Sequence, residues 1–102
     1  MKVTGKAEHA AECYLGKNAI AEAAHKILAL EQMKSPDGIT VNCGLIRGGS
    51  AENTVAEVCS FTVDVRYTTE EEMKEADAFV QKIANTSYLG DTSCTLDRKS
   101  VV

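Results

Sequence analysis

Two consecutive stretches near the middle of the chain alternate apolar and polar side chains, and this pair constrains the fold more than any other feature. In residues 39–47 and 57–66, the side chains predicted to face a core are Ile39, Val41, Cys43, Leu45, Cys59, Phe61, Val63 and Val65. A period of two predicts strands with one buried face and one exposed face. Both strands therefore need a hydrophobic layer on the same side of a sheet.

Helical periodicity flanks this strand pair in the sequence. Residues 18–33 repeat apolar side chains at the spacing of an amphipathic helix, which assigns Glu22 and Lys26 to its polar side. After the strand pair, Thr68 and Glu71 form a capping box that predicts the start of a second helix. The two helices can supply the hydrophobic layer that the strands require.

Shorter alternating stretches near the two ends of the chain complete the pattern. Residues 2–8 and 93–98 each predict a strand, so the element order is β-α-β-β-α-β. This order predicts an α+β, ferredoxin-like fold with a four-stranded antiparallel sheet and two helices on one face. Right-handed crossovers put the first and third strands in the centre and the second and fourth at the edges. Residues 1–102 fit one domain.

Charge and hydropathy exclude several classes of function. The chain has 11 Lys and Arg against 15 Asp and Glu, a net charge of −4, whereas nucleic acids and anionic membranes bind clustered positive charge. No apolar run approaches the roughly 20 residues that cross a bilayer. The N-terminus also lacks the charged and apolar segments of a signal peptide. We therefore expect a cytoplasmic protein with no nucleic-acid or membrane partner.

Residues that catalysis and metal binding require are sparse. His9 and His25 are the only histidines, and the sequence contains no H-E-x-x-H motif, nucleophile elbow or phosphate-binding glycine loop. The four cysteines lack C-x-x-C spacing, and at apolar strand positions such as Cys43 and Cys59 a reduced, structural thiol is expected. By itself the chain predicts no complete active site, no metal site and no cofactor.

Three polar residues are nonetheless difficult to assign to folding. His9 closes the first predicted strand, Asn53 lies in the long loop between the second and third predicted strands, and Arg66 ends the third. Each also has a structural interpretation. A strand-end histidine caps local backbone, a loop asparagine adopts a left-handed turn, and Arg66 pairs with Glu70 or Glu71. Position alone leaves both interpretations open.

The order and spacing of these residues favour the functional interpretation over the structural one. Six short motifs follow one another along the chain: a glycine, a His-Ala pair, a Gly-x-Asn-Ala-Ile helix start, a Thr-x-Asn-x-Gly strand, a Gly-Gly-x-x-x-Asn loop and an Asp-x-Arg strand end. They are matched by Gly5, His9, Ala10, Gly16, Asn18, Ala19, Ile20, Thr40, Asn42, Gly44, Gly48, Gly49, Asn53, Asp64 and Arg66. This pattern resembles the dimerisation (lid) domain of the aminoacylase and glutamate carboxypeptidase family, whose members are dinuclear-zinc metallopeptidases and amidohydrolases.

The resemblance implies a role for each of these residues. His9 would enter the active site of the partner subunit as a catalytic residue and stabilise the oxyanion formed during amide hydrolysis. Asn53 would hydrogen-bond the substrate, and Arg66 would bind its terminal carboxylate. Gly48 and Gly49 would allow the backbone to approach the substrate closely. Two zinc ions and their ligands would belong to a separate catalytic domain, so the chain would be excised from a longer enzyme and inactive alone.

The resemblance also implies how two copies associate. Strand 39–47 is a predicted edge strand without proline or inward charge, and it would pair with its own copy across a twofold axis, joined by helix 18–33. The substrate of the parent enzyme would be a small amide or peptide that bears a carboxylate. The alternative is a free-standing ferredoxin-like module that binds a small regulatory ligand or only dimerises.

Overall fold

The predicted element order is present in the computed structural model, which describes residues 1–98. Its strands are β1 (Lys2–Thr4), β2 (Thr40–Asn42), β3 (Ile46–Gly48), β4 (Val58–Phe61), β5 (Asp64–Arg66) and β6 (Ser93–Thr95). Its helices are α1 (Ala19–Glu31), α2 (Glu70–Ala84) and a short 3₁₀ helix, Ala10–Leu15. The α+β, ferredoxin-like prediction is confirmed, although the last four residues of the predicted domain 1–102 lie outside the described part.

The sheet has the predicted arrangement of central and edge strands. Its order is β3-β4-β1-β6, all antiparallel, and β2 pairs with β5 as a continuation of the β3-β4 edge. Val3 of β1 lies between Cys59 and Cys94 of the neighbouring strands and is completely buried. The first and third predicted strands are therefore central, as expected from the right-handed crossovers.

The edge pair contains a one-residue irregularity that changes which side chains face the core. Asn42 opposes Asp64 and Ile46 opposes Phe61, so three residues on the edge strand face two on its partner. An extra residue of this kind reverses the alternation of faces. The prediction that Leu45 faces the core is therefore wrong, and its side chain is 71% exposed.

The first strand is shorter than the sequence predicted, because the chain leaves the sheet after Thr4. Lys6 then pairs with Lys17 through two backbone hydrogen bonds of 2.8 and 2.9 Å. The crossing is too close for a side chain, since a Cβ on Gly5 would lie 2.0 Å from the carbonyl oxygen of Lys17. His9 consequently stands on a separate segment beyond the sheet and does not close β1.

Helix α1 buries Ala23 and Leu30 as predicted, but Glu22 and Lys26, which were predicted to lie on its polar side, are buried as well. The side chains of Glu22 and Lys26 are 0% and 1% exposed, whereas Leu28 is 66% exposed and Ile20 also reaches the surface. The two buried charges lie 3.5 Å apart, and backbone groups from the end of α2 onward satisfy the rest of their hydrogen-bonding capacity. A polar pair can be buried when it is paired and fully hydrogen-bonded in this way.

Helix α2 follows the prediction with a shift of one residue at its start. Ala76, Val80 and Ile83 are buried, and the capping box is formed by Thr69 and Glu72, one residue later than predicted. The three successive glutamates allow either register, and the structure selects the later one. Among the described residues, no helix is both long enough and apolar enough to cross a membrane.

Candidate functional site

His9 immediately precedes the 3₁₀ helix and caps it. Its Nδ1 accepts a hydrogen bond from the backbone N–H of Ala11 at 3.2 Å, and its backbone is extended. A neutral imidazole whose Nδ1 is the acceptor carries its proton on Nε2. The exposed ring therefore presents an Nε2–H donor to the surroundings, which is the polarity that stabilisation of an oxyanion requires.

The long loop between β3 and β4 brings Asn53 beside His9. The backbone N–H of Ala10 donates to the carbonyl oxygen of Asn53 at 2.8 Å, and His9 forms an isolated antiparallel bridge with Thr54. The extra loop residues thus pair with the segment that carries the histidine. His9 and Asn53, both exposed, lie together at one end of the domain, which we call the histidine pole.

Gly48 and Gly49 form the base of the same loop. A Cβ on Gly48 would lie 2.8 Å from the Ile20 side chain, and Gly49 has φ of +84°, a conformation that favours glycine. Together with the start of α1 they line an open cleft of about 480 Å³, of which neither His9 nor Asn53 forms a wall. The glycines therefore let the loop pack closely against α1.

Arg66 lies on β5 and is held by Asp64, the first residue of the Asp-x-Arg strand end, to which the sequence analysis gave no role. The Nε and Nη2 atoms of Arg66 each lie 3.2 Å from a different carboxylate oxygen of Asp64. The hydrogen bonds and charge of the guanidinium lower the pKa of Asp64, and the carboxylate raises the pKa of Arg66. The predicted pairing with Glu70 or Glu71 is wrong. Residues two apart on a strand share a face, so the Asp-x-Arg spacing itself was the available signal.

Arg66 is far from the histidine pole. Val58 lies beside that pole, and the chain runs eight residue steps from it to Arg66 along β4, two intervening residues and β5. At about 3.3 Å per step this distance is about 26 Å. The longest dimension of the domain is 49 Å. The structure thus brings two of the three predicted polar residues together and places the third well away from them, in a region that we call the arginine pole.

The described residues do not form a zinc site. Within residues 1–98, no group of three histidine, cysteine or acidic side chains is placed to hold a metal ion. The four cysteines are free thiols. Burial raises the pKa of Cys59 and, with the nearby Glu31 carboxylate, raises the pKa of Cys43 to about 11. These thiols are poor metal ligands because the thiolate form is disfavoured.

Comparisons with known proteins match nearly the whole chain. A family model described as a peptidase dimerisation domain matches residues 1–92. A tripeptidase from Staphylococcus aureus subsp. aureus Mu50 is 30% identical, with a TM-score of 0.78 over 92% of this chain and 26% of that chain. An aminobenzoyl-glutamate utilization protein from Klebsiella pneumoniae is 26% identical, with a TM-score of 0.73 over 80% of this chain and 22% of that chain.

A third structure shares the fold at lower identity. It is a hydantoinase/carbamoylase family amidase from Burkholderia ambifaria, 23% identical, with a TM-score of 0.80 over 94% of this chain and 25% of that chain. No curated protein sequence matches the chain. The chain spans about a quarter of the length of the solved structures that it matches.

Proposed function

Because the chain belongs to the peptidase dimerisation domain family, we propose that it joins two subunits of a longer, zinc-dependent peptidase or amidohydrolase and supplies lid residues to the active site. The family match confirms the resemblance that the sequence motifs indicated. The observation that carries the proposal is the separation of the two poles, with His9 and Asn53 in one and Arg66 in the other.

The proposed dimer surface is the free edge of the sheet together with the outer side of α1. In residues 1–98, no strand pairs with the outer side of β2 or β3. Large apolar side chains are exposed along this surface: Ile20, Leu28, Leu45 and Ile46. Contiguous exposed apolar patches and unprotected strand edges mark association surfaces. Antiparallel pairing of strand 39–47 with its own copy continues the sheet, and helix 18–33 then packs beside its copy.

The symmetry of this dimer brings opposite poles together. Antiparallel edges place the Gly48 end of one subunit beside the Thr40 end of the other, and Thr40 is the residue that opposes Arg66. Three strand spacings, about 14 Å in total, then separate β4 of one subunit from β5 of its partner. This is about half of the distance of about 26 Å between Val58 and Arg66 within one subunit. We therefore assign His9 and Asn53 of one subunit, and Arg66 of the other, to the same active site.

Each side chain has a geometry suited to its proposed role. His9 donates from Nε2 to the oxyanion, and the Asn53 amide hydrogen-bonds the substrate. Asp64 occupies the Nε side of the Arg66 guanidinium, which leaves the other edge of the fork for the substrate carboxylate. The zinc ions and their ligands belong to the part of the enzyme outside this chain.

Kinetics of the full-length enzyme test the assigned roles. His9→Ala is expected to lower kcat by on the order of a hundredfold or more with little change in KM, because an oxyanion forms only in the transition state. Arg66→Ala is expected to raise KM strongly, because it removes binding of the ground-state carboxylate. The opposite pattern in the two variants would contradict the roles.

A mixed dimer tests which subunit each residue serves. One subunit carries His9→Ala and the other carries Arg66→Ala. If each site takes these residues from different subunits, one site has both defects and the other has neither, so about half of the wild-type activity returns. If both residues come from the same subunit, every site has one defect and no activity returns, which would exclude the composite site.

The reading frame around this chain separates the proposal from the free-standing module. A longer frame that encodes a His-x-Asp motif and a Glu-Glu pair upstream supports a lid within a zinc hydrolase. Stop codons directly on both sides of these residues would contradict it.

A further inference from the structure

The 3₁₀ helix Ala10–Leu15 is exposed along its whole length, unlike α1 and α2. None of its six residues is buried, and it is kinked at Glu12. Tyr14 and Leu15 are nevertheless large apolar side chains, 78% and 48% exposed. A tyrosine combines a large apolar area with few rotatable bonds, and it is enriched where protein surfaces meet.

The exposure of Tyr14 is not the result of a frayed loop. The two hydrogen bonds between Lys6 and Lys17 close the neck of the loop, and the Lys17 ammonium group donates to the Leu89 carbonyl oxygen at 3.2 Å. Gly16 crosses so close to Lys6 that a Cβ there would lie 2.9 Å from its carbonyl oxygen. A compact loop with a closed neck has the form of an Ω-loop, a class of loop that frequently carries function, and the tip of this one presents apolar side chains.

The same loop carries His9 on its first limb, and the Ala10 N–H bond to Asn53 fixes this limb at the histidine pole. Any surface that covers Tyr14 and Leu15 therefore lies next to His9, the residue that the proposed function assigns to an active site. In the solved relatives, about three quarters of the chain lies outside the matched domain. This additional chain is the part of the enzyme available to cover the loop.

We propose that Tyr14 and Leu15 dock into an apolar depression on the hydrolase part of the partner subunit, outside the residues of this chain. The inference rests on the proposed function. The docked loop seats His9 at the partner's active site, so it couples formation of the dimer to completion of each site. Tyr14 and Leu15 are positioning residues, because they act through His9 and do not touch the reacting atoms.

Photocrosslinking in the full-length enzyme tests the docking directly. A benzophenone side chain replaces Tyr14 in one sample and Tyr88, which is 39% exposed and stacks on His25, in the control. Irradiation at position 14 is expected to give covalent dimers in which the joined peptide lies outside residues 1–98. Crosslinks only within one chain, or only between two copies of residues 1–98, would overturn the inference. The Tyr88 position is expected to give no product with the hydrolase part.

Kinetics separate this inference from the proposed function. Tyr14→Ser is expected to lower kcat/KM at least about tenfold, since truncation of a buried interface aromatic is among the costly substitutions, and Tyr14→Phe restores activity. The melting temperature of the 102-residue chain stays unchanged in both variants. If His9→Ala inactivates the enzyme while a Tyr14→Ser and Leu15→Ser double variant keeps full activity, docking is wrong and the lid function stands. If His9→Ala itself keeps full activity, the lid function is wrong.

Discussion

The two long helices differ in the residues that they bury and expose. Helix α2 behaves as its pattern predicts and places Ala76 and Val80 in the core beneath a charged outer side. Helix α1 buries Glu22 and Lys26 and leaves Leu28 at the surface. Ala23 and Leu30 of α1 are also buried, so α1 has apolar side chains on its inner side and on an outer stripe formed by Ile20, Ala24 and Leu28. This difference supports the proposal that a second subunit covers the outer side of α1.

The buried charges of α1 also have a structural task at the end of α2. The Lys26 ammonium group donates to the carbonyl oxygens of Ile83 at 2.9 Å and Ala84 at 3.3 Å, and to that of Thr86. The carbonyls of Ile83 and Ala84 lie in the last turn of α2, where carbonyl groups lack partners within their own helix, and Thr86 lies just beyond that turn. Glu22 accepts hydrogen bonds from the backbone N–H groups of Tyr88 and Leu89, so the pair fastens α1 to the segment that leads into β6.

Removing the buried cation is expected to have the largest effect. Lys26→Met leaves the Glu22 charge buried without its partner and deprives the end of α2 of its donors. Breaking a buried ion pair from one side costs about 3–5 kcal/mol, measured here as the free energy of unfolding in urea. The matched control on α2 is Lys74→Met at an exposed position, expected to change stability by less than about 0.5 kcal/mol. Equal effects at the two positions would contradict the contrast between the helices.

The same substitution on each helix tests the outer stripe. Ala24 and Ala78 are exposed alanines in the middle of α1 and α2. Ala24→Glu is expected to raise the Kd of the dimer about a hundredfold, because it buries an unpaired charge in the interface, whereas Ala78→Glu leaves the Kd unchanged. Sedimentation velocity over a concentration series measures both. A dimer that tolerates Ala24→Glu as well as Ala78→Glu excludes this surface.

The pH dependence of stability provides the smallest and most specific effect. Burial raises the pKa of Glu22, but the hydrogen bonds from Tyr88 and Leu89 and the charge of Lys26 lower it more, so the pKa lies below its usual value. The stabilisation is therefore fully present above the pKa of the unfolded chain, about 4.3, and is lost as the pH falls through the lowered value in the folded state. The stability difference between the wild type and Glu22→Gln is expected to shrink below about pH 4. An unchanged difference between pH 7 and pH 3 would contradict it.

Local patterns were sufficient for the elements and for the family. Alternation and helical spacing predicted four strands and two helices in the right order, because each pattern is set by neighbours within a few residues. The spacing of His9, Asn53 and Arg66 predicted the family correctly. The Asn18 cap was part of that pattern, and its side chain does accept the backbone N–H groups of Ile20 and Ala21.

The two largest errors involve contacts between distant segments. Leu45 faces outward because one extra residue on the edge strand shifts its pairing with β4, and a single-strand pattern does not contain the partner's register. Glu22 and Lys26 are buried because backbone groups 57 to 67 residues away meet them there. From the sequence alone a charged side chain is assigned to the surface, because the sequence does not show which distant groups would pair with it in the core.

By itself, the sequence determined the α+β element order, the family and the identity of the candidate residues. Only the tertiary structure decided how these residues are arranged, with His9 beside Asn53 and Arg66 on β5, about 26 Å along the strands from Val58. The physical reason is that the long loop between β3 and β4 is held in position by backbone hydrogen bonds to Glu8 and Ala10. These bonds join residues that are far apart in the chain. The distance between the poles, in turn, makes a second copy of the chain necessary for a complete site in the proposed enzyme.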